Sequence, residues 1–493
     1  MNSQYPVLIF LVPFVGALLC AVTGWWYRGA ARVIALASLG AMTLLALAAG
    51  VPVFETGSLS THLGGWAPPI GIELVLDPLS LLMALMTGSV SLVVLASART
   101  AVRAELEGRE TGFYALSLLL VAGLTGMVVT GDLFNMFVHL EVASLSAYAL
   151  TAAGRPGAAR AGLNYLLIGS LGASFYLLGV GFIYAGTGTL NMADAFSRLA
   201  DAPPRLAGMG LALIVAGLAV KMALFPLHGW MPSAYAATTT TAAALMAALV
   251  TKISAYALLR ILFWVYGSER LAATPFVMAA IGWAGAAALV AGGFYAFMQS
   301  DLRRLFAYSS VSQMGLIAIG LSVANSHGLT GATLHIFNDA LMKGVLFLAA
   351  GALLVRSGVT RVDQLAKLRG RAPWTTVAIA VSGISLIGLP PLAGFFGKWY
   401  VLLGALESGR WFHVGAIALG TALTAAYVFR LLEPLLFGKP VHDAGNEGVT
   451  AKAEGGPTLA GMLLLTAFIV LAGVFNGPLA AMVRASLPSG LAP

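Results

Sequence analysis

Charge is scarce in this chain. Of its 493 residues only 9% are Asp, Glu, Lys or Arg, 59% are hydrophobic, and the mean hydropathy is +0.91. A soluble globule carries about a quarter charged residues, so a soluble domain of this length is excluded and a polytopic membrane protein is implied. Cysteine is almost missing as well. Cys20 stands alone, which rules out an intrachain disulfide and any cysteine-ligated cluster housed in this chain. No basic cluster is interleaved with exposed aromatics, so the formal charge of +8 does not call for nucleic acid. No Walker-type loop and no dinucleotide fingerprint occurs, which argues against ATP hydrolysis or nicotinamide chemistry in this polypeptide. A metal-ligand spacing, a histidine pair fit for haem and a nucleophile elbow are also missing. Neither a cofactor nor a metal is therefore expected. The longest polar stretch, Val441 to Pro457, reads as a Gly-rich linker rather than a domain.

What is there is one apolar run after another. Runs of about 20 residues place spans near 7–26, 31–52, 76–97, 112–130, 133–152, 163–187, 207–225, 241–265, 275–297, 303–322, 329–355, 374–402, 412–437 and 457–482. The expected fold is an all-α polytopic membrane protein of about fourteen transmembrane helices. The first run, Val7 to Trp26, has no basic region before it and is too long for a signal-peptide core, so it reads as a retained span. With the N-terminus outside, sixteen of the 27 basic residues fall in cytoplasmic loops, Arg28, Arg99, Arg155, Arg303, Lys367, Lys439 and Lys452 among them. Only Arg198, Arg205, Arg270, Arg410 and Arg484 fall opposite. That bias is the positive-inside rule, and it predicts both termini on the outer, periplasmic side of a plasma (cell inner) membrane.

Two spans are interrupted. Span 7 breaks at Phe225-Pro226 and span 12 at Leu389-Pro390-Pro391, and each has a lysine nearby, Lys221 and Lys398. They lie five spans apart, an odd number, so the two units sit in opposite orientations. Interrupted helices at matching positions of inverted repeats point to an ion or substrate site near the midplane, although proline alone also kinks membrane helices.

The lysines sharpen this reading. Four of seven, Lys221, Lys252, Lys343 and Lys398, fall within spans, where an ammonium is costly and is a functional candidate by default. Snorkelling to the interface is an alternative for Lys221 and Lys398, and a poor one for Lys252 and Lys343. The natural carboxylate partner is Glu141 in span 5, about 12 Å below the span's start. A lone buried carboxylate takes up a proton, whereas one facing a lysine stays ionised, so such a pair serves either as a proton relay or as a static ion pair. Span 11 carries His335, Asp339 and Lys343 at every fourth position, one stripe on one helix face. His228, after the Pro226 break, is a possible gate or a hydrogen-bonded structural residue. His139 faces away from Glu141, and Asp132 at a span start is suited to capping.

The runs KMALFPLHGWMPSAYAATTTTAAALMAALVTKISAYALLRI, MQSDLRRLFAYSSVSQMG and GLPPLAGFFGKWYVL resemble the proton-conducting antiporter-like subunits shared by Mrp-type cation/proton antiporters, respiratory complex I and membrane-bound hydrogenases. GDLFNMFVHLE looks most like the D subunit of Mrp antiporters and its hydrogenase relatives, and less like the complex I subunits. The resemblance implies a single transmembrane domain over 1–493 with two inverted five-helix repeats, 112–265 (spans 4–8) and 275–437 (spans 9–13). It also implies a proton relay of Glu141, Lys221, Lys252, His335, Lys343 and Lys398. Asp339 departs from the family's usual histidine, which leaves the central proton carrier open. The implied partners are other hydrophobic subunits of a hetero-oligomeric complex in the lipid bilayer, with H+ moved alone or together with Na+ or K+. The expectation is therefore the proton-translocating subunit of a multisubunit cation/proton antiporter. The alternatives are the proton-pumping arm of a complex I-like or hydrogenase complex and, more remotely, a solute carrier with a midplane pocket.

Overall fold

The computed structural model describes residues 4–24, 26–27, 29–438 and 455–488. Arg28, Lys439, Lys452 and most of the linker from Val441 to Pro457 lie outside the described residues. The chain begins with α1 (Tyr5–Thr23) and α2 (Ala30–Thr56), followed by an antiparallel hairpin of β1 (Leu59–His62) and β2 (Glu73–Leu76). Then come α3 (Pro78–Ser97), α4 (Arg99–Glu105), α5 (Glu110–Val129), α6 (Leu133–Ala152), α7 (Ala158–Thr187), α8 (Met192–Arg198) and α9 (Pro204–Lys221). The middle of the chain forms α10 (Met231–Ala237), α11 (Thr240–Arg260), α12 (Gly267–Ala272), α13 (Pro275–Met298), α14 (Leu302–Val323) and α15 (Ser326–Ser357). The last third forms α16 (Pro373–Ile387), α17 (Ala393–Glu407), α18 (Trp411–Leu436), α19 (Pro457–Val474) and α20 (Asn476–Ala485).

Among the described residues thirteen helices are long and apolar enough to cross a bilayer, and the broken pair α16–α17 supplies one more crossing. The chain is thus the nearly all-helical bundle that its apolar runs imply. The small β-hairpin is the addition, since strands of four residues leave no hydropathy signal of their own. Short polar residues start many of these helices: Asp77 accepts from the Ser80 N–H, Asp132 from Asn135, Asp301 from Arg304 and Asn325 from Gly328. Each satisfies a donor that the first turn leaves free. Asp132 is accordingly a cap.

Burial orders the bundle. Every residue of α11 is buried, and α14 and α15 beside it are nearly as enclosed, whereas α1 and α2 lie at the edge. Polar contacts tie the helix ends into two opposite caps. At one end Glu105 meets Arg155 at 3.1 Å and Arg303 at 3.9 Å and accepts from Thr240 at the start of α11. At the other, Glu73 accepts from Asn191 and Glu407 pairs with His327.

Candidate functional site

The first station lies at a helix break. α9 ends at Lys221, the chain turns through 222–230 with Ala223 in the left-handed region (φ 54°), and α10 restarts at Met231. A left-handed alanine costs roughly 1–2 kcal/mol, so packing has to hold the break open. Part of that packing is Trp230, whose indole N–H donates to the Val220 carbonyl at 3.0 Å and whose ring stacks on Tyr165 at 3.9 Å. The Lys221 ammonium, 4% exposed, meets Glu141 at 3.2 Å and donates to the Ser144 hydroxyl at 2.7 Å and the Tyr148 hydroxyl at 3.1 Å. Glu141, Ser144 and Tyr148 are spaced to share one face of α6, so a single helix face supplies the whole cradle. The Glu141 side chain keeps 25% of its surface exposed.

The second station is at the centre. Lys252 on α11 and Asp339 on α15 form an ion pair at 2.7 Å with both side chains fully buried, and Lys252 also donates to the Ala247 carbonyl at 2.8 Å. One turn along the α15 stripe, Lys343 donates to the Ser309 hydroxyl and to the Phe306 carbonyl, both on α14. One turn the other way, His335 Nε2 shares a hydrogen bond with the Gln313 side-chain oxygen at 2.9 Å. A carboxylate therefore sits between an imidazole and two ammonium groups.

The third station is the second break. α16 stops at Ile387, and Lys398 on α17 donates to the Leu386 and Ile387 carbonyls at 2.7 and 3.0 Å. These are carbonyls that the end of α16 leaves free, at the end of the helix dipole that favours a cation. Glycine allows the approach. Gly388 has φ 87°, and a Cβ there would stand 2.9 Å from the Lys398 Cδ; a Cβ on Gly397 would stand 2.8 Å from the His335 Nδ1. The two breaks differ in one respect: Lys221 is the last helical residue before its break, whereas Lys398 lies beyond its own and reaches back across it.

The remaining sequence candidates fall elsewhere. His139 packs edge-on against Phe10 of α1 at 4.6 Å and over Gly126 of α5. His228 lies in the first break, stacked on Phe225 at 5.2 Å and flanked by Tyr295 and Tyr308. Sequence reasoning missed Ser144, Tyr148, Ser309 and Gln313, which hold the charged groups. The signal for Ser144 and Tyr148 was their helical spacing from Glu141. For Ser309 and Gln313 it was a similar spacing along α14.

This arrangement, with two broken helices and four buried lysines across a membrane bundle, two of them paired with carboxylates, defines a class of membrane subunit built around buried charge. The family described as "NADH:quinone oxidoreductase/Mrp antiporter, TM" matches residues 130–424, and the chain belongs to it. It is 40% identical over 446 residues to the N subunit of the NADH-quinone oxidoreductase of Desulforudis audaxviator, covering 88% of this chain and 86% of that one. It is 29% identical over 424 residues to the D subunit of the Na(+)/H(+) antiporter of Alkalihalophilus pseudofirmus, covering 85% and 84%. Among solved structures, a chain of an archaeal membrane-bound sulfane sulfur reductase, described as a respiratory membrane complex, superposes with a TM-score of 0.90 at 32% identity, covering 98% of this chain and 97% of that one. The chain is thus a proton-translocating antiporter-like subunit of the kind shared by Mrp antiporters and complex I-like complexes. The antiporter's D subunit in particular is not favoured over its redox-linked relatives.

Proposed function

We propose that this chain carries protons along a membrane-midplane line of Glu141, Lys221, Lys252, Asp339, Lys343, His335 and Lys398. The observation that carries this reading is the change of partners along the line, from carboxylates to neutral oxygens. Two ammonium groups are held by carboxylates, at Glu141–Lys221 and Lys252–Asp339, and two, Lys343 and Lys398, only by hydroxyl or carbonyl oxygens. A proton gained or lost at one station alters the charge facing the next, and water bridges the gaps. Asp339 takes the place of the central carrier. Its protonation would release Lys252, and its ionisation would recapture it. We read the two broken crossings as the centres of two inverted repeats, 112–265 and 275–437.

The driving reaction would come from partner subunits. The higher identity to the oxidoreductase N subunit, with the close superposition on a respiratory membrane complex, supports the proton-conducting arm of a redox-driven complex. Cation/proton exchange is the second reading, supported by the relation to the antiporter D subunit. Partners of either kind need a docking face, and the exposed side of α6 suits one. Phe134, Val138 and Leu145 are 44%, 41% and 57% exposed there, in helical register with the open edge of Glu141. A carboxylate edge turned toward hydrocarbon is unfavourable, so a neighbouring subunit would cover it. Purification with native partners, followed by iron content, visible spectrum and subunit masses, decides between the readings. Iron-sulfur absorption with soluble partners is expected; small hydrophobic partners without iron would favour exchange.

A further inference from the structure

The far end of α11 holds a second buried charge pair that the midplane line does not use. Arg260 is the last residue of α11, where the helix widens into a π-helical turn, Ile261–Tyr266; such turns are frequent at functional sites. Its guanidinium meets the Asp77 carboxylate at 2.5 Å and donates through Nε to the Tyr256 hydroxyl at 2.8 Å. That hydroxyl in turn donates to the Val128 carbonyl at 3.0 Å. The guanidinium also lies over the Trp264 ring at 4.7 Å. Asp77 is itself fixed as the cap of α3: its Oδ1 accepts from the Ser80 N–H at 2.8 Å while its Oδ2 meets Arg260.

Lys252, Tyr256 and Arg260 recur at every fourth residue, so one face of α11 carries a polar stripe about 12 Å long from the central pair to the end of the bundle. Side-chain exposure falls along it, from 18% at Asp77 to 10% at Arg260 and none at Lys252. A stripe of this kind is a short route by which protons could escape sideways from the line. We propose that Arg260, held by Asp77 and Tyr256, is an electrostatic plug that seals the Lys252–Asp339 pair from the end of the bundle carrying the β-hairpin. A guanidinium stays charged at all working pH values, so it cannot hand on a proton, and its fixed positive charge repels an arriving one. The plug rests on the relay reading, because without a proton at the central pair there is nothing to retain.

The test measures passive leak, which needs no driving reaction. The intact complex is reconstituted in liposomes, a potassium diffusion potential is imposed, and proton entry is followed with a trapped pH dye. Arg260→Gln is expected to raise the leak about tenfold, as removal of a fixed-charge barrier should. Arg260→Lys should leak less than Arg260→Gln but more than wild type, because an ammonium keeps the charge yet can give up its proton when buried. Adding Lys252→Met to Arg260→Gln should return the leak to baseline, because the escape route starts at the central pair. An assembled Arg260→Gln complex with unchanged leak overturns the plug, and so does a leak that survives Lys252→Met. Should Arg260→Gln fail to assemble, Tyr256→Phe loosens the guanidinium while keeping the ring; a smaller rise is expected there and no rise contradicts the proposal. Failure of the relay reading shows separately, as driven flux that is indifferent to Lys221.

Discussion

At the scale of single residues, the central question is why Asp339 stands where it does. Lys252 is fully enclosed, and its charge is tolerable only with a carboxylate at 2.7 Å. Removing one partner of a buried pair costs about 3–5 kcal/mol, whereas replacing both by apolar side chains is often neutral. Asp339→Asn is therefore expected to lower the melting temperature of the purified complex and to suppress proton flux. Combining Asp339→Leu with Lys252→Met should recover most of the stability without recovering flux. Wild-type flux in the double variant would remove the central pair from the path. The presence of these charges was legible in the sequence, because lysine and aspartate in apolar runs have few bland explanations. Their pairing was not. Lys252 and Asp339 are 87 positions apart on separate helices, and nothing in the spacing ranks Asp339 above Glu141 as the partner of Lys252.

At the scale of elements, the two helix breaks do the positioning. The prolines marked where α9 and α16 stop, but not how the exposed carbonyls would be used. At the first break an indole N–H takes the Val220 carbonyl; at the second Lys398 itself takes the last carbonyls of α16. The difference arises from which groups packing brings across each gap, information that no local pattern contains. Gly388 is the hinge of the second arrangement. Gly388→Ala would place a side chain at φ 87° and press on Lys398, with a stability loss of about 1–2 kcal/mol and lowered flux as Lys398 leaves the α16 carbonyls. Thermal unfolding and driven flux on the same preparation check this. Flux at the wild-type level despite the stability loss would mean that the position of Lys398 is unimportant. The Arg260–Asp77 pair belongs to the same scale. Arg260 lies inside the span expected over 241–265, but nothing in the sequence names Asp77 as its partner, and only the packing of α3 against α11 brings the two together.

At the scale of the whole molecule, α11, α14 and α15 form a buried spine, with the two broken crossings on either side of it. Span number, span order and the interruptions followed from hydropathy and proline placement, since a bilayer admits few alternatives to a packed helix. The β-hairpin and the Glu105 network joining α4 to the start of α11 did not, because both depend on ends that meet only after the helices have packed. Of the proposed relay groups, Glu141 is the most exposed, Lys398 lies at the second break, and the Lys252–Asp339 pair is fully enclosed. On the proposed reading, each of these groups has to be present for protons to pass. The most direct test is driven proton flux in vesicles containing the assembled complex with Glu141→Ala or Lys221→Ala. The account predicts that either change abolishes flux while the subunits still assemble; undiminished flux in either assembled variant would contradict it.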